Sequence, residues 1–102
     1  MSVLKITAAS FAQEVLESPK TVLIDFYADW CGPCRMLGPI VEEIAAERPD
    51  VKVCKVNVDE EGELAARFGV MSIPAVFVLK NGEVVAQSLG AKPKAQLLAL
   101  LG

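Results

Sequence analysis

The sequence predicts an α/β fold, with helices on both faces of a mixed five-stranded sheet and so three α/β/α layers. Three observations carry that prediction. Residues 21–28 (TVLIDFYA) are apolar at both alternating positions, the mark of a central strand covered on two sides. A helical period over residues 34–47 lies between that strand and residues 51–58, and such a β-α-β crossover pairs its strands in parallel. Asn81-Gly82 separates two further strand-like runs, the strongest two-residue signal for an antiparallel hairpin.

The remaining elements follow in order. Residues 3–6 form a short leading strand. A helix over residues 8–17 takes Thr7 as its N-cap, turns Phe11, Val15 and Leu16 inward, and ends at Ser18-Pro19. In the segment over residues 34–47, Leu37, Ile40, Val41 and Ile44 share one side, with Glu42, Glu43 and Glu47 on the other. Pro39 removes one backbone donor and should kink this helix without ending it, because the period continues past it. Asp59 is the expected N-cap of a short helix running through Phe68, with Gly69 as its stop. The strands on either side of Asn81-Gly82 cover residues 75–80 and 83–89, and Pro93 opens a last helix carrying Leu97, Leu98, Leu100 and Leu101.

No repeat, linker or low-complexity tract interrupts the 102 residues, so a single domain over residues 1–102 is expected. Apolar residues make up 53% of the chain and charged ones 23%, enough for a core that needs neither a structural disulfide nor a metal. Ten basic against 13 acidic residues give a net charge of -3 without a basic patch, which speaks against nucleic acid as a partner. The N-terminal residues lack the layout of a signal peptide and no apolar run approaches ~18 residues, so a cytoplasmic protein away from the membrane is expected. The absence of histidine removes His metal ligands, Ser-His and Cys-His pairs, and any imidazole acid or base.

The chemistry concentrates at Cys31 and Cys34, in the run Asp29-Trp30-Cys31-Gly32-Pro33-Cys34-Arg35 between a buried strand and a helix. A Cys-x-x-Cys beside a β-α-β pattern reads as a redox pair. A bridge closing four residues contributes only about 2 kcal/mol by loop entropy, which suits a switch better than a staple. Cys31 falls at or just before the start of the helix, where free N–H groups and the dipole favour a thiolate, so it is the expected nucleophile. Cys34, one turn further in, should be more buried and act as the resolving thiol. A metal site would need four Cys or His ligands and this motif supplies two, which leaves only a site bridging two chains. Cys54 lies in a predicted buried strand and reads as a small hydrophobe.

Asp25 stands mid-strand between Ile24 and Phe26, where burial should raise its pKa. Trp30, the single tryptophan, is either a core residue or a partly exposed lid over the disulfide.

Trp30-Cys31-Gly32-Pro33-Cys34 after a strand with a central Asp, Ile73-Pro74 before a strand, and the Asn81-Gly82 hairpin together resemble the thioredoxin family over nearly the whole chain. The resemblance implies the thioredoxin fold and a protein-disulfide reductase that keeps cytoplasmic thiols reduced. It makes Asp25 a buried proton acceptor and donor for Cys34, and Lys55 a neighbour that tunes it. It makes the Ile73–Pro74 bond cis and places Trp30, Gly32, Pro33, Ile73, Pro74, Gly90 and Ala91 on a flat substrate-binding surface. No cofactor is expected to be bound; the implied partners are proteins with accessible disulfides and a separate thioredoxin reductase, a flavin enzyme using NADPH or a ferredoxin-linked one. Gly-Pro between the cysteines resembles reducing members rather than oxidants. The chain departs from common family patterns at Tyr27, at Ala75 and in the short final helix. A monomer is expected; a binding subunit that uses the apolar surface without catalysis is the alternative from another class.

Overall fold

The computed structural model describes residues 3–102. Five strands form one sheet: β1 (Leu4–Lys5), β2 (Thr21–Tyr27), β3 (Val51–Asn57), β4 (Ala75–Lys80) and β5 (Glu83–Leu89). Their spatial order is β1-β3-β2-β4-β5. β1 and β2 both run parallel to β3, whereas β4 runs antiparallel to β2 and to β5. The switch of direction falls beside β2, so the middle strand has one parallel and one antiparallel neighbour.

Alternation along the central strands builds two cores. Val22, Ile24 and Phe26 of β2 join Cys54, Val56 and Phe77 on one face, under Phe11, Val15 and Leu64. Leu23 joins Val51, Val53, Val76 and Val78 on the other, under Leu37, Val41, Ile44 and Leu97. The helices are α1 (Ala8–Phe11), α2 (Gly32–Glu47), α3 (Gly62–Arg67) and α4 (Lys94–Leu100). With α1 and α3 on one face and α2 and α4 on the other, the expected three layers are present.

Several boundaries differ from the sequence reading for physical reasons. Thr7 caps α1 through a capping box with Ser10, as its position predicts. The helix then widens into a π-helical stretch, Ala12–Leu16, in which Glu17 N–H bonds Ala12 C=O at 3.0 Å. The carbonyl of Glu14, one of the last in the helix, accepts from Lys52 Nζ at 3.0 Å instead.

Helix α2 begins at Gly32, two residues before its apolar period starts, because Pro33 fits the first turn where no intrahelical donor is needed. It continues through Pro39. Asp59 does not cap α3, which starts at Gly62. The side chain of Asn57 closes that turn, accepting the N–H groups of Asp59 at 2.9 Å and Glu60 at 3.2 Å. At the far end of the helix, Gly69 adopts φ +67° and lets Val70 N–H return to Ala65 C=O at 2.9 Å.

Asn81 and Gly82, with φ of 53° and 79°, make the tight turn between β4 and β5. One residue of β5 is extra: Leu79 pairs with Val84 while Val78 pairs with Ala86, a bulge that leaves Val85 without a partner.

Candidate active site

The cysteines sit where β2 hands over to α2. Cys31 is the N-cap of α2 and Cys34 lies in its first turn, so the chain brings both sulfurs to one helix end. They form a disulfide with a Cα–Cα separation of 5.2 Å. Cys31 Sγ accepts the Cys34 N–H at 3.2 Å, which places the sulfur on a donor that the start of a helix leaves free. The same donor and the positive end of the helix dipole favour a thiolate there once the bond opens.

The expected contrast in burial is small, with Cys31 5% and Cys34 4% exposed. The two differ in what they face. Cys31 Sγ lies 3.9 Å from the Ile73 carbonyl oxygen. Cys34 opens on a cavity of about 420 Å³ behind the disulfide, which Asp25, Lys55, Arg35 and Glu42 also line.

Asp25 is 4% exposed, and its Oδ1 has no hydrogen-bond partner among the described residues. Burial pushes its carboxyl up to about 7, and the charge of Lys55 opposes that shift. Register explains the pairing: Asp25 stands opposite Lys55 across the β2–β3 ladder, so both project from one face of the sheet. The Lys55 ammonium also lies 5.7 Å from the centre of the Tyr27 ring.

The surface around the pair comes from separate parts of the chain. Trp30 is 68% exposed, and its indole N–H donates to Asp59 Oδ2 at 2.9 Å. The tryptophan is therefore outside both cores. Gly32 and Pro33 are exposed on the first turn of α2. The Ile73–Pro74 peptide is cis. Ile73 packs against Ala28 and the two cysteines, while Pro74 is buried and its carbonyl accepts the Gly90 N–H at 2.8 Å. That bond holds Gly90, with the exposed Ala91 after it, next to Pro74. Cys54 is fully buried in the opposite core, away from the pair, and burial pushes its thiol up to about 12.

Two contacts had no counterpart in the sequence reading. Asp59, expected to cap a helix, anchors Trp30 instead. Arg35 donates from a guanidinium nitrogen to the Asp29 carbonyl at 2.9 Å and so pins the strand-to-helix link in front of Cys31. Hydrophobic periodicity carries no signal for either, because Trp30, Asp59 and Asp29 lie in loops and Arg35 reaches back from α2 with a polar group. Among the described residues, no group of three or more His, Cys, Asp or Glu side chains is placed to hold a metal ion. No helix among them is long and apolar enough to cross a membrane.

The family model described as Thioredoxin matches residues 2–102. The chain belongs to the thioredoxin family. It is 48% identical to the thioredoxin of Pyropia yezoensis over 102 residues, covering 99% of this chain and 95% of that one. Against the thioredoxin of Bacillus subtilis it is 49% identical over 102 residues, with 99% and 96% covered. It is 52% identical to the thioredoxin of Mycobacterium bovis over 96 residues, with 93% and 83% covered. The Cys31–Cys34 disulfide at the start of α2 is thus the redox-active pair of a thioredoxin-family protein disulfide oxidoreductase. Thioredoxins work without a bound cofactor.

Proposed function

We propose that this protein is a general disulfide reductase of the cytoplasm, in which Cys31 attacks and Cys34 resolves. The observation that carries the assignment is the difference in surroundings. Cys31 Sγ approaches the Ile73 carbonyl, whereas Cys34 lines the cavity that Asp25 also lines.

In the reduced protein the Cys31 thiolate attacks one sulfur of a partner's disulfide. A mixed disulfide forms and the partner's other sulfur leaves as a thiolate. The Asp25 carboxylate then takes the proton of Cys34, directly or through water, and the Cys34 thiolate attacks Cys31 Sγ. The Cys31–Cys34 bond closes and the partner departs with both its sulfurs reduced. With a pKa of about 7, Asp25 is near half-ionised at neutral pH, which suits a group that must both take and return a proton. Lys55 favours its ionised form.

Trp30, Gly32, Pro33, Ile73, Pro74, Gly90 and Ala91 form the face on which the partner's chain rests. Extended peptides commonly recognise such surfaces by strand-like pairing. Two electrons return from NADPH through a separate flavin-containing thioredoxin reductase, and residues 1–102 act as one domain and as a monomer.

The test is a Cys34→Ser variant offered a protein disulfide. It should accumulate a mixed disulfide through Cys31, visible on a non-reducing gel, while Cys31→Ser should not. Absence of the adduct would overturn the assignment of roles. Insulin reduction driven first by dithiothreitol, then by a purified NADPH-dependent reductase, checks the direction of the reaction and the electron donor.

A further inference from the structure

The stretch joining α3 to β4 passes directly by the disulfide. Before it, Val70 N–H is bonded to Ala65 C=O, and after it Pro74 C=O is bonded to Gly90 N–H. Between them, residues 71–73 make no backbone hydrogen bond among the described residues. Met71 begins that stretch and is 97% exposed, so its thioether adds nothing to either core. Two residues of chain span at most ~7 Å, which puts Met71 within that distance of Ile73, the residue whose carbonyl approaches Cys31 Sγ.

Among the described residues, the three most exposed large apolar side chains are Met71, Met36 at 71% and Trp30. Met36 is on the second turn of α2, three residues after Pro33, and Trp30 precedes Cys31. All three belong to segments that border the disulfide: Trp30 and Met36 lie just outside Cys31 and Cys34 in the chain, and Met71 lies two residues before Ile73. A methionine fits such a place because its unbranched, polarizable side chain adapts to differing partners. It also carries a liability, since a solvent-exposed thioether is open to oxidation.

We propose that Met71 is a docking residue for polypeptides bearing an apolar side chain beside their disulfide, and that peroxide oxidation of its sulfur weakens this docking. The proposal rests on the reductase reading and names the substrate class that reading leaves open. In the oxidation step the thioether sulfur attacks one oxygen of hydrogen peroxide. The O–O bond breaks, an S–O bond forms and water leaves, so sulfur loses two electrons and peroxide gains them. The product is a polar sulfoxide where an apolar contact had been.

Because Met71 is exposed, Met71→Leu and Met71→Gln remove no buried contact, and both should fold. Their kinetics are measured on two disulfide-bonded peptides, one flanked by leucine and one by serine. Met71→Gln should raise KM for the leucine peptide about fivefold with kcat unchanged, the signature of a lost binding contact, and leave the serine peptide unaffected. Met71→Leu should behave as the unaltered protein. Peroxide treatment of the disulfide form should reproduce the KM rise in step with one oxygen added to the Met71 peptide, and Met71→Leu should resist it. An unchanged KM in Met71→Gln would overturn the docking role. A peroxide effect that persists in Met71→Leu would move the sensitivity elsewhere, with Met36→Leu showing whether Met36 carries it. Failure of the unaltered protein to reduce either peptide would remove the reductase reading, and this proposal with it.

Discussion

Asp25 is the residue whose energetics can be measured most directly. Its carboxyl is raised from 3.8 to about 7 by burial, so the folded state holds this proton more tightly than the unfolded chain does. Below pH ~4 both states are protonated and the group costs nothing. As pH rises from there through 7 the unfolded carboxyl ionises freely, and the folded protein loses stability by up to about 4 kcal/mol. Asp25→Asn keeps the shape without the charge. It should be more stable than the parent at pH 8 by up to that amount and equal to it near pH 4, as read from denaturant unfolding at several pH values. A pH-independent difference would show that Asp25 is neutralised by something other than burial and Lys55. Cys54 makes the opposite case, a thiol that burial leaves inert. Alkylation of the reduced, folded protein should label Cys31 and spare Cys54 until denaturant is added, as counted by mass spectrometry.

At the scale of elements, the β4–β5 turn offers a direct check. A Cβ on Gly82 would lie 3.1 Å from the Leu16 carbonyl oxygen, and its φ of +79° already disfavours any L side chain. Gly82→Ala should cost about 1–2 kcal/mol of unfolding free energy while leaving the redox activity of the remote site intact. Such turns, the central strands and the crossover helix were legible because their signals are local: alternation, a 3.6-residue period, and Asn-Gly. What escaped prediction was decided by partners distant in sequence. The end of the π-helical stretch after Phe11 is held by Lys52, which reaches Glu14 from another strand. The displaced start of α3 depends on Asn57 rather than Asp59 taking the free donors of the turn. Two features do carry a local signal: Pro33, suited to a first turn, and the adjacent Val84 and Val85, which break strict alternation where the bulge lies. The cysteine pair, the roles expected of its two members and the buried carboxylate could be read from the chain. What needed the structure was their surroundings, since only there does Cys31 approach Ile73 and Cys34 line the cavity.

For the molecule as a whole, the two apolar cores carry the fold and the disulfide adds little to it. Closing four residues should stabilise the oxidised protein by about 2 kcal/mol over the reduced one. The reduced protein should therefore unfold cooperatively at a modestly lower denaturant midpoint, with its near-ultraviolet dichroism retained beforehand. Unfolding on reduction alone would recast the bridge as a structural brace. An electron carrier has to survive in both states, and a sheet packed on two sides secures that.

The reactive corner draws on pieces scattered along the sequence. The opening turn of α2 supplies the sulfurs, the link after β3 holds the indole, residues 73–74 bring the cis peptide, and Gly90 comes from beyond β5. A fragment ending before β3 would contain both sulfurs and none of that setting, and would behave as an ordinary small dithiol. Turnover by this protein is accordingly an assembly gauge: it reports that the first half of the polypeptide has found the second.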